Sequence, residues 1–260
     1  MKNKTSEDRG IIYPVKGKGD PYLGPDAIMV IIPSELKYLV RISKAEKIHF
    51  NDMNLYNLYQ TGRDSEAQIS LSGPFLGAPH AAIAIEKLIV LGAKRIWVLG
   101  WCGSLQPTLR IGDLVIPTSA ISEEGTSGHY PIGEKAIESD LKLNRMLEKT
   151  LEKQNISFSK GSVWTTDGLY RETTNKVKKF QARGVLAVEM EISALMTIAL
   201  YRSIAIAGLL VVSDEIFDFR WRPGFSNPLV KKNSHAAGEI LLSLASSPNS
   251  TLAGFRFKSK

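Results

Sequence analysis

Three acidic residues in separate stretches of this 260-residue chain stand where apolar runs give way to polar ones. Glu35 follows the run 27–32 in Pro33-Ser34-Glu35. Glu191 closes Val188-Glu189-Met190-Glu191, and Asp214 follows the run 204–212 in Ser213-Asp214. A carboxylic acid whose pKa is raised by burial can protonate a leaving group near neutral pH. A carboxylate can accept hydrogen bonds from two vicinal hydroxyls and so fix a sugar ring. A third carboxylate can draw a proton from an attacking water. Each residue alone also has an ordinary structural explanation: Asp214 as the cap of a following helix, Glu191 and Glu35 as first-turn acids that favour the helix dipole.

Other candidates are fewer. Gly100-Trp101-Cys102-Gly103 is expected to be the turn after a strand at 95–99, where glycine N–H groups either face an anion or simply make the turn. Cys102 reads as a small buried thiol. Tyr170, Trp101 and Phe217 are candidate stacking surfaces, and the aromatic segment 217–223 a candidate lid. His49, His80, His129 and His235 lack metal-ligand spacing, so no metal is expected. His80, at a helix start, either faces the site or is a structural histidine. No Walker or dinucleotide glycine pattern follows the first apolar run.

Positioning such residues needs alternating elements, and the sequence supplies them. Apolar runs predict strands at 27–32, 95–99, 113–121, 158–164, 185–187 and 204–212, with a meander in 48–71. Amphipathic or capped segments predict helices from Ser34, with Ser34 as cap and Lys37 on the solvent side, and over 78–91, 139–154, 188–202 and 228–244. The run 204–212 is nearly all apolar, so it is expected to be covered on both faces. The expected fold class is α/β: a three-layer α/β/α sandwich with a mixed central sheet. Residues 1–26 read as an N-terminal extension and 27–260 as a single domain. In such sheets ligands bind beyond the carboxyl ends of strands. That rule points at Gly100–Gly103, Thr165–Asp167, Glu189–Glu191 and Ser213–Asp214.

Composition narrows the function classes. No apolar run reaches the ~20 residues of a membrane span, and the charged start of the chain is unlike a signal peptide. One cysteine allows no intrachain disulfide and fits a cytoplasmic location. The formal charge is +7, but Lys and Arg are scattered, with adjacent pairs at Lys94-Arg95, Lys178-Lys179 and Lys231-Lys232. No basic stripe is interleaved with aromatics, so nucleic acid is not an expected partner.

Five segments, in order between about residues 27 and 245, resemble the nucleoside phosphorylase and nucleosidase family. They are Gly77-Ala78-Pro79, then Gly100 to Gly103 with Ile111-Gly112-Asp113, Thr165 to Tyr170, Glu189-Met190-Glu191, and Ser213-Asp214. The resemblance implies a phosphorylase-like fold and cleavage of the N-glycosidic bond of a purine-type (deoxy)ribonucleoside. It implies that Asp214 donates to the base, that Met190 and Glu191 hold the ribose, and that Ser213, Leu169 and Tyr170 lie by the base. Gly100, Trp101, Cys102 and Gly103 would then form the nucleophile or anion pocket. No cofactor is implied, with phosphate as co-substrate if the reaction is phosphorolysis. A homo-oligomer, dimer or hexamer, is implied as well.

The chain departs from the phosphorylases at the phosphate site. The arginine expected before the glycine turn is Val98, and the turn's Ser/Thr is Trp101. Gly19-Asp20-Pro21 precedes the first strand instead of following it, and is read as coincidental. Lys37, Arg41 or Arg63 could supply positive charge. Pro33-Ser34-Glu35 is similar to the Pro-Ala-Glu of some hydrolytic members, where the glutamate activates water. Hydrolysis and phosphorolysis both stay open, as does a nucleoside-binding protein that has lost turnover.

Overall fold

The computed structural model describes residues 10–50, 55–62 and 68–246. Arg63 and Asn54 lie outside them.

Ten strands form one mixed sheet: β1 Asp26–Val30, β2 Glu46–Ile48, β3 Asn57–Gln60, β4 Ile69–Gly73, β5 Arg95–Ser104, β6 Leu114–Glu123, β7 Phe158–Thr166, β8 Ala187–Glu189, β9 Ala205–Glu215 and β10 Arg222–Pro223. Their order is β10-β9-β6-β7-β8-β5-β1-β4-β3-β2, and β9 also pairs with β5. The strands β5, β9, β6, β7 and β8 therefore close on themselves. From this closed end β1, β4, β3 and β2 run out along the first half of β5. The antiparallel β2, β3 and β4 are the expected meander.

Helices cover both faces, as expected of the sandwich: α1 Pro33–Ser43, α2 Ala78–Leu91, α3 Leu141–Lys153, α4 Thr174–Ala182, α5 Ile192–Arg202 and α6 Pro228–Ala245. Alternate strand residues feed two cores. Met29, Val98 and Leu210 face α2 and α5. Ile28, Val30, Trp97, Leu99 and Leu209 face α1, α3 and α6. Each such side chain contributes about 1.5–3 kcal/mol on burial. A third cluster pairs Trp164 with Phe180 of α4, ring centroids 4.4 Å apart. At the amino ends of β1 and β5 the Asp26 carboxylate takes the Arg95 guanidinium and the Trp97 indole N–H, all buried.

Residues 10–25 form no regular element, yet they are tied to α2. Lys87 donates to Asp20 at 2.8 Å and to the Val15 carbonyl at 2.9 Å, and the Leu23 amide donates to the Leu91 carbonyl. Asp20 is thus a buried ion-pair partner, in keeping with the coincidental reading of Gly19-Asp20-Pro21.

Four local expectations are corrected. Ser34 does not cap α1: the cap position is Ile32, extended, with Pro33 in the first turn, where a missing N–H costs nothing. The segment 100–103 is not a turn, because β5 continues through Ser104 in parallel register with β9. Its glycines give room for neighbours: a Cβ at Gly100 would lie 3.1 Å from Leu210 Cδ2, and one at Gly103 would lie 3.1 Å from Asp214 Oδ2. The strand expected at 185–187 is β8, two residues later, so α5 begins at Ile192 and Glu191 is its cap residue. Helix α4, where Thr173 accepts from the Lys176 amide, lies in a stretch for which no element was expected.

Candidate active site

Gly103 organises the site. It pairs with Val188 of β8 on one side and with Asp214 of β9 on the other. Two strand spacings amount to roughly 10 Å, so the chain entering Glu191 and the chain bearing Asp214 flank one glycine at about the width of a small ligand. The β5–β9 register shifts at Cys102/Gly103. Such a bulge re-aims the side chains beyond it.

Glu191 is buried, and its Oε1 accepts from the Gly77 amide at 2.6 Å. Gly77 precedes α2 with φ +79°, a conformation that suits glycine. Burial drives the Glu191 carboxyl upward, and the neighbouring Glu189 charge adds to that; the Gly77 bond opposes both. Glu189 holds this end of α5 together. Its Oε2 accepts from the amides of Glu191 at 2.6 Å and Ile192 at 2.7 Å, while its Oε1 accepts from the Thr165 hydroxyl. The Thr165 oxygen in turn accepts from the Ser193 amide at 2.9 Å. Sequence reasoning gave Glu189 no role. The available signal was an acid two and three residues ahead of helix-start amides, which have no intrahelical partners. Met190 is half-buried between the two glutamates in sequence.

Asp214 is half-buried, and burial raises its pKa. Its two oxygens oppose that shift by accepting from Ser213 Oγ at 2.7 Å and Trp221 Nε1 at 3.0 Å. After Glu215 the chain turns back through Phe219, at φ +64°, so that Arg222 and Pro223 pair with Glu215 and Asp214. The segment 217–223, expected to be a lid, therefore hangs over Asp214. Glu172 was also missed. Burial and the Asp214 charge push its carboxyl up to about 7. Cys102 is buried, and its thiol is pushed well up by burial, with the Asp214 and Glu189 charges adding to it. The thiol is inert, and it registers both acids at once.

Glu35 lies in a cavity of about 550 Å³ between α1 and α6, shared with Ser34, Lys37, Tyr38, Arg41, Trp101, Phe225, Lys231 and His235. Its Oε1 accepts from the Ser34 hydroxyl at 3.2 Å, whereas its Oε2 is buried without a hydrogen-bond partner. His235 Nε2 stands 3.8 Å away. Burial raises the Glu35 pKa, against the lowering effects of His235, Ser34 and Lys231. The Trp101 ring does not lie over the β5 edge. It points to α6, where Nε1 donates to Ser234 Oγ at 2.9 Å, and it stacks on Phe225. Phe225 in turn lies 6.1 Å from Trp221, ring centre to ring centre. A run of aromatic rings thus joins the Glu35 cavity to Asp214.

Other expected residues fall outside this cluster. Leu169 is 52% exposed and Tyr170 95% exposed, so both face solvent in the single chain. Phe217 lies under the Arg110 and Arg222 guanidiniums. His80 is structural: Nδ1 accepts from the Leu76 amide and Nε2 sits 3.1 Å from the Leu55 carbonyl. Val98, in the place of the absent arginine, is fully buried in the core. Among the described residues no cluster of His, Cys, Asp and Glu is arranged to hold a metal, and no helix is long and apolar enough to cross a membrane.

This geometry can grip a polyhydroxylated ring at Glu191 and present a carboxyl at Asp214 to a group leaving it. Residues 25–244 match the family model described as the phosphorylase superfamily. The purine nucleoside phosphorylase DeoD-type of Bacillus cytotoxicus is 28% identical over 201 residues, 75% of this chain and 84% of that protein. Among solved structures, the uridine phosphorylase of Vibrio fischeri ES114 has a TM-score of 0.74 at 22% identity, covering 85% of this chain and 91% of that one. The purine nucleoside phosphorylase of Toxoplasma gondii in complex with immucillin-H has a TM-score of 0.76 at 22% identity, covering 86% and 91%. With residues 25–244 matched, the chain is an enzyme of the phosphorylase superfamily.

Proposed function

We propose that this enzyme cleaves the N-glycosidic bond of a purine-type (deoxy)ribonucleoside and releases the free base, with water as the nucleophile. The observation that carries the reading is the pairing of Gly103 with Val188, three residues before Glu191, on one side and with Asp214 on the other. Breaking this bond leaves positive charge on the sugar and negative charge on the departing base. Asp214, with a raised pKa, protonates the base as it leaves, and Ser213 orients it. Glu191 holds the ribose hydroxyls, with Met190 against the sugar. Gly100 and Gly103 keep the strand end narrow enough for the sugar to approach, and Cys102 fills the space behind it.

Glu35 is the general base of this reading. It is buried, burial raises its pKa, and its Oε2 lacks a hydrogen-bond partner, with His235 Nε2 3.8 Å away. A carboxylate there also repels a phosphate dianion, and Val98 stands in the place of the phosphate-binding arginine. Phosphorolysis is the second reading, favoured by Lys37, Arg41 and Lys231, which line the same cavity. Leu169 and Tyr170 reach the base only when the base or a second chain covers them. Ile11 and Ile12 are each 95% exposed and Leu76 is 76% exposed, which supports association with another copy.

The test is base release from a panel of nucleosides with and without phosphate. Release without phosphate supports hydrolysis, and its loss in Glu35→Gln assigns the base. Release only with phosphate replaces water by phosphate. Saturable nucleoside binding without any release overturns the reading.

A further inference from the structure

The cleft between α1 and α6 is built for more than a water molecule. Its volume of about 550 Å³ lies within the range of pockets that take drug-sized ligands, roughly 300–1,000 Å³. Two aromatic pairs wall it: Trp101 stacks on Phe225 at 5.9 Å, and Tyr38 on His235 at 3.6 Å with nearly parallel rings. Three cations line it, Lys37, Arg41 and Lys231. None of the three is ion-paired with a described residue, and Arg41 rests 5.6 Å over the Tyr38 ring. The nearby Glu239 carboxylate is engaged by the Tyr38 hydroxyl. At the floor Glu35, 2% exposed, lines the cavity with an Oε2 that lacks a partner. An orphaned buried oxygen is costly until a donor reaches it. Flat faces, a fan of cations and one buried acceptor together describe a planar heterocycle carrying a donor group and a phosphate.

We propose that the α1–α6 cleft binds a nucleoside monophosphate. Its phosphate lies among Lys37, Arg41 and Lys231, its ring rests against Trp101 and Phe225, and an exocyclic amine on that ring donates to Glu35 Oε2. Guanidinium and ammonium groups suit a phosphate monoester, and an exocyclic amine suits a buried carboxyl oxygen. The cleft shares Glu35 with the reading given under Proposed function and rests on it in one respect. An occupant takes the Glu35 oxygen that the proposed reaction needs for its water, so the nucleotide inhibits nucleoside hydrolysis.

The experiment is calorimetric titration of the full chain with adenosine 5′-monophosphate, repeated in Arg41→Ala and Lys231→Ala. Both side chains are exposed, and surface substitutions of this kind seldom disturb folding. Saturable binding is expected, weakened tenfold or more in each variant. An equal concentration of inorganic phosphate or of adenosine should fail to displace the nucleotide. Three results would each overturn the proposal: no binding, binding unchanged in both variants, or displacement by phosphate or adenosine as effective as by the nucleotide itself. Nucleotide binding in a chain that releases no base would refute the proposed reaction and leave the cleft assignment standing. Base release without nucleotide binding would do the opposite.

Discussion

Replacing Asp214 by Asn tests the acid assignment with little structural disturbance, for a reason visible in its contacts. The two carboxylate oxygens accept from Ser213 Oγ and Trp221 Nε1. An amide with its oxygen toward Trp221 keeps that bond. Its N–H₂ then faces Ser213, whose hydroxyl also lies 3.4 Å from the Cys102 carbonyl. The hydroxyl can accept from the amide and turn its own proton to that carbonyl, so no donor is orphaned. The cost is the charge assistance of two partly exposed bonds, about 1 kcal/mol. Opposing it is the sign of the titration. Burial raises the Asp214 pKa, so ionisation in the folded state is unfavourable, and its contribution to stability is lost as pH rises through the folded value. Asn removes that penalty. The two effects leave Tm within about 2–4 °C of the parent near neutral pH. Loss of a general acid costs about 10²–10⁴-fold in rate, or roughly 3–5 kcal/mol of barrier. The assay is initial base release from a purine nucleoside, read by absorbance, beside thermal melting of the same samples. A variant that melts normally and turns over within threefold of the parent would show that Asp214 is not the acid.

Gly103→Ala places a Cβ 3.1 Å from Asp214 Oδ2 and 3.3 Å from Val188 Cγ1. Overpacking of this kind costs about 1–3 kcal/mol, and activity should fall at least tenfold; an active variant would mean the strand end tolerates widening. Asp26→Ala strips the partner from buried Arg95 and should cost about 3–5 kcal/mol in denaturant unfolding, with a loss under 1 kcal/mol refuting the pairing as drawn. Glu172 has its pKa raised from 4.5 to about 7. Its contribution is therefore fully present below about 4.5 and lost as pH rises through about 7. Glu172→Gln should flatten the fall of Tm across that window, and an unchanged profile would remove Glu172 from the account. Light scattering should find a mass above that of one chain, and a monomer at working concentration would leave Ile11, Ile12 and Leu76 unexplained.

Where hydrophobic pattern alone decides an element, the sequence was readable. The run 204–212 could only be a strand covered on both faces, and 78–91 opens at Pro79 and closes at Gly92 by ordinary helix rules. Reading failed where polar residues are satisfied by distant partners. Strand β9 goes on past its apolar run through Ser213, Asp214 and Glu215, because Arg110 and the Ile111 amide meet Glu215 and β10 returns alongside. Gly100 and Gly103 read as a turn, since glycine serves turns and close packing equally well. Helix α4 has few apolar residues, of which Val177 and Phe180 are buried, among lysines that gave no periodic signal. In the site, the acids were legible through resemblance, while their supports were not. Glu172 and Trp221 act through contacts that no spacing encodes, whereas Glu189 meets helix-start amides two and three residues on. Lys231 and His235 reach Glu35 across nearly two hundred residues.

The three carboxyls of the reading share one electrical property by three routes. Burial raises the pKa of Glu35, Glu191 and Asp214 alike, but their partners differ. Glu191 is held by backbone amides alone and feels the Glu189 charge, so a bound sugar's hydroxyls would give the ionised form further donors. Asp214 already has two donors, one of them on the exposed indole of Trp221. Loss of that indole would leave the acid more willing to hold its proton. In the proposed reaction, a base that displaced this indole would arm the acid as it arrived. Glu35 has one oxygen without a hydrogen-bond partner, and His235, Ser34 and Lys231 offset part of the upward shift that burial causes. The strand end at Gly103 sets the spacing. The groups around each carboxyl decide which one holds, which one gives and which one takes a proton.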